Sequence, residues 1–433
     1  MLLKRALTAG LFLYAPACFG QDFVPDKGDS VWVALCSVLV LLMTPALALF
    51  YGGMVRRRNV LSTMLHSIVM MGVVTLVWLV VGYSIAFGKS GGWFGSFEFV
   101  MGGGVSMKEP YLHAPGTIPA GLFMLFQMMF AIITPALISG AIAERMRFGS
   151  YLVFTIVWSV LIYAPIACWV WNPGGWLFGK GALDFAGGTV VHLASGASAL
   201  AASFLLGKRL AVKHKEPIMP NNLTTTVLGA GLLWVGWIGF NAGSSLAMND
   251  LALQAFATTQ IAAAGGMLGW LLCEQLRFGK PTALGAASGM VAGLVGITPA
   301  AAFVSLPSAI IIGVIVGIVC CLAIEMKHKV AYDDALDVVG VHGVGGALGA
   351  VLTGVFASSE VNSVVADSLK TNGGRVGLIL TQVTGIVVVG LFAFAGTFLI
   401  LKVIDLLGRL RVTEDEEVQG LDLALHGESG YNL

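Results

Sequence analysis

The chain has 433 residues, of which 57% are hydrophobic and only 11% charged, with a formal net charge of +1. Mean hydropathy is +0.88. Long uncharged runs recur down the whole length, which excludes a soluble fold and calls for an all-α integral membrane protein. A balance this close to neutral says nothing about partners, and no nucleic-acid partner is expected.

In chain order, residues 1–20 come first, MLLKRALTAGLFLYAPACFG. Lys4 and Arg5 precede a short apolar run that ends in small residues before Gln21, the pattern of a cleavable secretory signal. An uncleaved twelfth helix is the alternative. Eleven further spans follow, at about 30–50, 61–87, 118–142, 149–171, 185–206, 223–245, 253–273, 282–303, 306–325, 337–357 and 376–401. The 57 glycines favour close approach of helix backbones. The six cysteines form no C-x-x-C pair. Cys36, Cys168, Cys273, Cys320 and Cys321 lie in apolar spans and Cys18 in the leader, so neither a metal site nor a disulfide framework is expected.

Loop charge alternates. One side carries Arg56, Arg57, Arg58, Arg145, Arg147, Lys208 to Lys215, Arg277, Lys280, Lys327, Lys329, Arg409 and Arg411. The other carries only Lys27, Lys89, Lys108, Lys180, Lys370 and Arg375. The positive-inside rule then puts the mature N-terminus outside and the C-terminal tail in the cytoplasm. Five spans bring the chain inside, so spans 1–5 and 6–10 run in opposite senses.

Span 5 and span 10 each open with Asp-x7-His, Asp184 to His192 and Asp334 to His342, and both continue His-x-x-x-Gly-Ala. This argues for a five-plus-five inverted repeat, with halves at about 30–206 and 223–357 and an extra helix at 376–401. The membrane domain covers 21–402 and a polar tail 403–433. If the aspartates mark opposite membrane edges, eight residues of helix carry each histidine about 12 Å inward. In a core of about 30 Å the two rings then meet near the midplane.

Titratable groups inside a bilayer are costly and mark a pathway, a proton relay or a cofactor. The residues alone leave two readings open: a proton-linked pore, or axial ligation of a haem. His66, His113, His214, His328 and His426 fall near span edges, in loops or in the tail. Glu144, Glu274 and Glu325 sit at inner helix ends beside basic residues, where local pairing is expected.

The stretches GALDFAGGTVVH, GWIGFNAGSS, GVHGVGGALGAVLTG, FYGGMVRRRNVLS, SGAIAERMRF and GLDLALHGESGY resemble the bacterial branch of the Amt/Mep/Rh ammonium transporters, in order and spacing, over nearly the whole mature chain. The resemblance implies transport of ammonium or ammonia, not catalysis. It implies a homotrimer in the bacterial inner membrane with one pore per subunit, no cofactor, and control by a cytoplasmic PII-type signalling protein. It further implies recruitment of ammonium by Phe130, Trp171 and Ser244. A gate formed by Phe130 and Phe240, lined by Phe126 and Trp237, would lead to the pair His192 and His342. Desolvation disfavours a charged imidazole, so the pair is expected to be neutral at rest.

Potassium is nearly the size of ammonium, but ammonium donates hydrogen bonds and can lose a proton. Ring faces would bind it with about 0.5–2 kcal/mol each. A dry pore beyond would reject ions that cannot deprotonate. Asp184 is expected to cap its helix, a direct ammonium ligand being the sharper alternative. Asp334 is its structural counterpart, and Asp337 could serve the inner vestibule. Proton release above the gate, with the proton following through the histidines, predicts net charge movement. Electroneutral ammonia flow and a low-flux ammonium sensor are the alternatives.

Overall fold

In a bilayer every backbone N–H and C=O must find its partner within the protein, so an apolar chain of this kind folds as helices. The computed structural model describes residues 23–431 apart from 112, 114, 115, 328 and 331. The leader over 1–20, Cys18 and His328 lie outside the described residues.

Among the described residues, ten helices are long and apolar enough to cross a membrane. They are α1 (Lys27–Met54), α2 (Arg57–Phe87), α3 (Ala120–Ile142), α4 (Phe148–Gly179), α5 (Gly188–Leu206), α6 (Leu223–Gly243), α7 (Asp250–Phe278), α9 (Leu306–Lys327), α10 (Val339–Phe356) and α11 (Arg375–Leu407). Between α7 and α9 lies α8 (Ala283–Ile297), shorter but apolar. Its 15 residues rise only about 22 Å. The expected span 282–303 is therefore helical only to Ile297, and a buried irregular segment, 298–304, completes its path. Among the described residues β pairing is limited to isolated bridges.

The connections sort into two faces. On one, Asp26 N–H meets Thr117 O, Met248 N–H meets Asp29 Oδ1 and Asn172 Nδ2 donates to Gly88 O. There too Asn372 Nδ2 donates to Lys180 O, and Ser358 N–H to Phe303 O. On the other, Asn221 N–H meets Val55 O, Arg56 pairs with Glu144, and Arg209 pairs with Asp333. Helix α1 thus starts on the first face, and α6, which opens the second half, starts on the second. The two halves run in opposite senses, as loop charge predicts. Helices α1 and α6, first in each half, pack along each other.

The last helices of each half cross at glycines. A Cβ on Gly196 of α5 would lie 2.2 Å from Gly343 Cα, and one on Gly346 of α10 would lie 2.7 Å from Gly188 O. No larger residue permits that approach. Both helices begin in a π turn, Gly188–Leu193 and Val339–Val344, each holding its histidine. Single π turns often mark functional sites.

Here the structure corrects the helix-rise arithmetic. Asp184 and Asp334 do not sit on helical turns; Gly188 and Val339, which open the π turns, come four and five positions later. The rings nevertheless meet, with little helix between carboxylate and histidine in either half.

The tail is folded over its described residues, which end at Tyr431. Two short helices, α12 (Glu414–Gln419) and α13 (Leu421–His426), close over the second face. A capping box between Thr413 and Glu416 starts α12. Leu210 N–H donates to Glu417, Ser62 N–H to Asp422, and Leu421 N–H to Asn59 Oδ1. Beneath the tail, Arg209 bridges Glu144 at 3.2 Å and Asp333 at 2.9 Å. Burial alone would raise the Asp333 carboxyl, but hydrogen bonds from Arg209 and the charge of Arg145 outweigh it and hold it at about 2. Burial pulls the Arg145 guanidinium down to about 10.

Candidate functional site

The Asp184 carboxylate organises the approach to His192. Its Oδ1 accepts from the N–H groups of Gly187 (2.9 Å) and Gly188 (2.7 Å), and its Oδ2 from those of Thr189 (2.8 Å) and Val190 (3.1 Å). These are the orphan donors that any helix start leaves unsatisfied. Burial pushes this carboxyl above its ordinary range, and the four donors hold it back. Gly187 takes φ +113°, a left-handed conformation that lets the chain turn into the helix beside Trp171. Gly188 lies against Pro299, and the N–H groups of Phe185 and Ala186 bond to Pro299 O and Thr298 O. Two interrupted helices are thus stitched together by backbone hydrogen bonds.

Trp171 donates its indole N–H to Asp184 O at 3.0 Å. Its ring meets Phe130 edge-on, centroids 5.7 Å apart at 84°. Phe130 packs against Phe240 at 4.3 Å and against Phe126 at 5.0 Å. Phe240 lies over His192 at 6.0 Å, and Trp237 stacks on it at 5.2 Å and 27°. The Trp237 indole N–H is held by Thr298 Oγ1 at 2.8 Å. His192 and His342 stack at 5.2 Å with their Nδ1 atoms 3.2 Å apart. Both rings are buried. A neutral imidazole has one donor and one acceptor, so this contact requires one ring to donate and the other to accept. Nε2 of His192 is buried with no hydrogen-bond partner among the described residues. The 3.2 Å contact leaves no room for a haem iron between the rings.

A cavity of ≈ 10 Å³ adjoins the pair, walled by apolar side chains such as Ile133, Val191, Leu233 and Trp237. That is room for about one water-sized molecule. A second cavity of ≈ 40 Å³ opens beyond His342 and is lined by Tyr51, Ser288 and Asp337 among others.

Of the residues singled out from sequence, Phe126, Phe130, Trp171, Trp237, Phe240, His192 and His342 form one continuous file of rings. Ser244 caps the end of α6 and donates its hydroxyl to Phe240 O, so its oxygen keeps an acceptor position free. Asp334 accepts from Val339 N–H at 2.7 Å through Oδ2, while its buried Oδ1 has no partner among the described residues. Burial raises its carboxyl to about 6. Asp337 is not helical; it takes φ +63° and pairs with Lys327, which also donates to Asp334 O. Thr298, Lys327 and Gln382 also contribute, through contacts that no local sequence pattern announces for the first two. Gln382 had a signal, being a lone amide inside the apolar span 376–401.

Residues 31–431 match the profile of the Ammonium Transporter Family. The chain belongs to that family. The family is one of transporters, not enzymes. An ammonium transporter of Bacillus subtilis is 49% identical over 407 residues, covering 94% of this chain and 99% of its own. The crystal structure of Saccharomyces cerevisiae Mep2 superposes with a TM-score of 0.83 at 37% identity, over 90% of this chain and 88% of that one. A solved sensor Amt protein gives 0.84 at 31% identity, over 92% and 98%. These long alignments make this chain a multi-pass membrane protein of the same fold.

Proposed function

We propose that this protein carries ammonium across the membrane along the file of rings that ends at His192 and His342. The observation that carries the proposal is the 3.2 Å Nδ1–Nδ1 contact beneath the aromatic file, with His192 Nε2 left unpartnered. In this reading Trp171 and Phe130 offer ring faces and Ser244 an acceptor, which together recruit the cation weakly. Phe130 and Phe240 exclude water and hydrated ions. Ammonium gives up its proton at or above that gate, because a bare charge in the apolar segment is too costly. Ammonia passes to the ≈ 10 Å³ cavity. The two imidazoles form a short relay from Nε2 of His192 to Nε2 of His342, and the proton follows through it, which makes transport electrogenic. Asp184 supports the outer turn as a cap; Asp334 and Asp337 support the inner one.

The working assembly in this proposal is a homotrimer in the bacterial inner membrane, with eleven spans per subunit, a cleaved leader at 1–20 and a membrane domain over 21–402. Residues 403–433 form a cytoplasmic regulatory tail, and the face it covers receives a PII-type protein. The sensor reading draws on the sensor Amt likeness, and measured flux separates the two. The test is electrophysiology on a solid-supported membrane, with ammonium pulses applied to proteoliposomes. Ammonium-dependent current is expected in the wild type. The double variant His192→Ala, His342→Ala is expected to lose flux or to pass potassium. Clear ammonia uptake with no current would refute the charge-moving version. A double variant equal to wild type in rate and selectivity would remove the histidines from the pathway.

A further inference from the structure

Helix α11 belongs to neither repeat, yet one of its side chains reaches both. Gln382 is buried, and all its hydrogen-bonding groups are engaged. Its Oε1 accepts from Leu183 N–H at 2.8 Å. Its Nε2 donates to Leu183 O at 2.7 Å and to Ala350 O at 3.1 Å. The amide therefore holds Leu183 as a neighbouring strand would, by N–H and C=O together, while gripping α10 with its second hydrogen.

Leu183 directly precedes Asp184, whose carbonyl holds Trp171 and whose carboxylate starts the helix of His192. Ala350 lies on α10 two turns beyond His342. The side chain thus ties the turn that feeds one histidine to the helix that bears the other. Rigid packing through glycine contacts at Gly196 and Gly346 sets how close the two helices come. The turn is irregular backbone and needs an external clamp, because its N–H and C=O groups have no ladder of their own.

We infer that Gln382 is a positioning residue for transport, setting the outer turn against the histidine pair. The inference rests on the reading of Trp171 and His192 as pathway groups. An amide suits this role because it supplies donor and acceptor in one plane without a charge in an apolar layer. Leucine at this position would fill similar volume and orphan both groups of Leu183. A displaced turn shifts Trp171 and the start of the His192 helix together. Misplacement on the ångström scale commonly costs about a hundredfold.

The test uses the full chain in proteoliposomes, with rates normalised to folded protein by size-exclusion chromatography. Gln382→Leu is expected to raise the half-saturating ammonium concentration about ten- to hundredfold and to admit potassium. A clamp that served only folding would lower yield and melting temperature and leave half-saturation per folded molecule unchanged. That result would overturn the inference. Should Gln382→Leu not fold, Gln382→Glu decides. When protonated it gives Leu183 the same acceptor and donor; when ionised it offers only acceptors to two carbonyls.

Titratable or charged groups on the packed elements are Asp184 and Lys180 of the turn, His192 of α5, His342 of α10, Asp367 and Lys370 of the short helix Val364–Thr371, and Arg375, Lys402 and Asp405 of α11, so the readout is the ratio to wild type. That ratio is expected to worsen as pH rises from 5 to 9, and a flat ratio would overturn the clamp. The double histidine variant runs alongside. If it transports normally, the pathway reading itself fails. If it alone loses selectivity, only the clamp inference fails.

Discussion

Asp184 and Asp334 occupy matching places in the two halves, and their removal should have very unequal consequences. In Asp184→Asn one carboxylate oxygen becomes an NH2 group. Of the four N–H donors now satisfied, two lose their acceptor and face new donors. A hydrogen bond to a charged group contributes about 1.5–3 kcal/mol, so the loss is about 3–6 kcal/mol. Asp334 uses Oδ2, toward Val339 N–H, and its Oδ1 is buried without a partner among the described residues. Asparagine keeps that contact with its carbonyl, so Asp334→Asn should cost no more than about 1 kcal/mol. The assay is thermal unfolding of both variants in detergent, read by loss of the size-exclusion peak, beside ammonium half-saturation in proteoliposomes. Asp184→Asn should melt well below wild type, and Asp334→Asn close to it. Equal melting losses would refute the counting of donors. A wild-type melting temperature with abolished ammonium binding in Asp184→Asn would make the carboxylate a substrate ligand instead.

The remaining predictions concern pH, packing and the tail. The Asp334 carboxyl is raised from its ordinary value of 3.8 to about 6 by burial. The folded state thus binds the extra proton between those values, and stability falls as pH rises through that window. The melting difference between Asp334→Asn and wild type should therefore shift in favour of the variant from pH 4 to 7, and a constant difference would contradict it. Gly196→Ala places a Cβ 2.2 Å from Gly343 Cα, with backbone and not a flexible side chain in the way. A cost of about 1–3 kcal/mol and separation of the histidines are expected, with flux per folded molecule well below wild type. Arg209→Leu removes the cation shared by the buried carboxylates of Glu144 and Asp333, leaving only Arg56 beside the first and Arg145 beside the second, and should cost about 2–3 kcal/mol. Limited proteolysis should then cut within 403–433 faster than in wild type.

Much of the molecule was legible in order and composition. Apolar runs located most span edges to within about five residues, because a bilayer tolerates little else, while α4, α8 and α11 end six to eight residues from the expected positions. Alternation of basic loops set the opposite senses of the halves, and the connections now found on two separate faces agree. The paired histidines stood out because imidazole is expensive in an apolar run. The differences are local. Asp184 caps its helix as its place predicts, but the Asp-x7-His spacing counts all eight residues as helix, whereas helix begins only at Gly188 and Val339. The eighth span is predicted to reach 303 because the segment from Thr298 to Val304 is apolar; only its backbone contacts with Phe185 and Ala186 reveal it as irregular.

Sequence alone determined that this chain spans a membrane, that it is built twice over in opposite senses, and that two histidines are buried in matching frames. Those follow from hydropathy, charge and spacing, which are properties of residues in order. Tertiary structure decided what faces what. The 3.2 Å contact between the imidazoles, the file of rings above them, and the reach of Gln382 to Leu183 and Ala350 join residues up to 199 positions apart. No local pattern encodes such pairings, because they arise only when helices are packed and every buried polar group must find a partner.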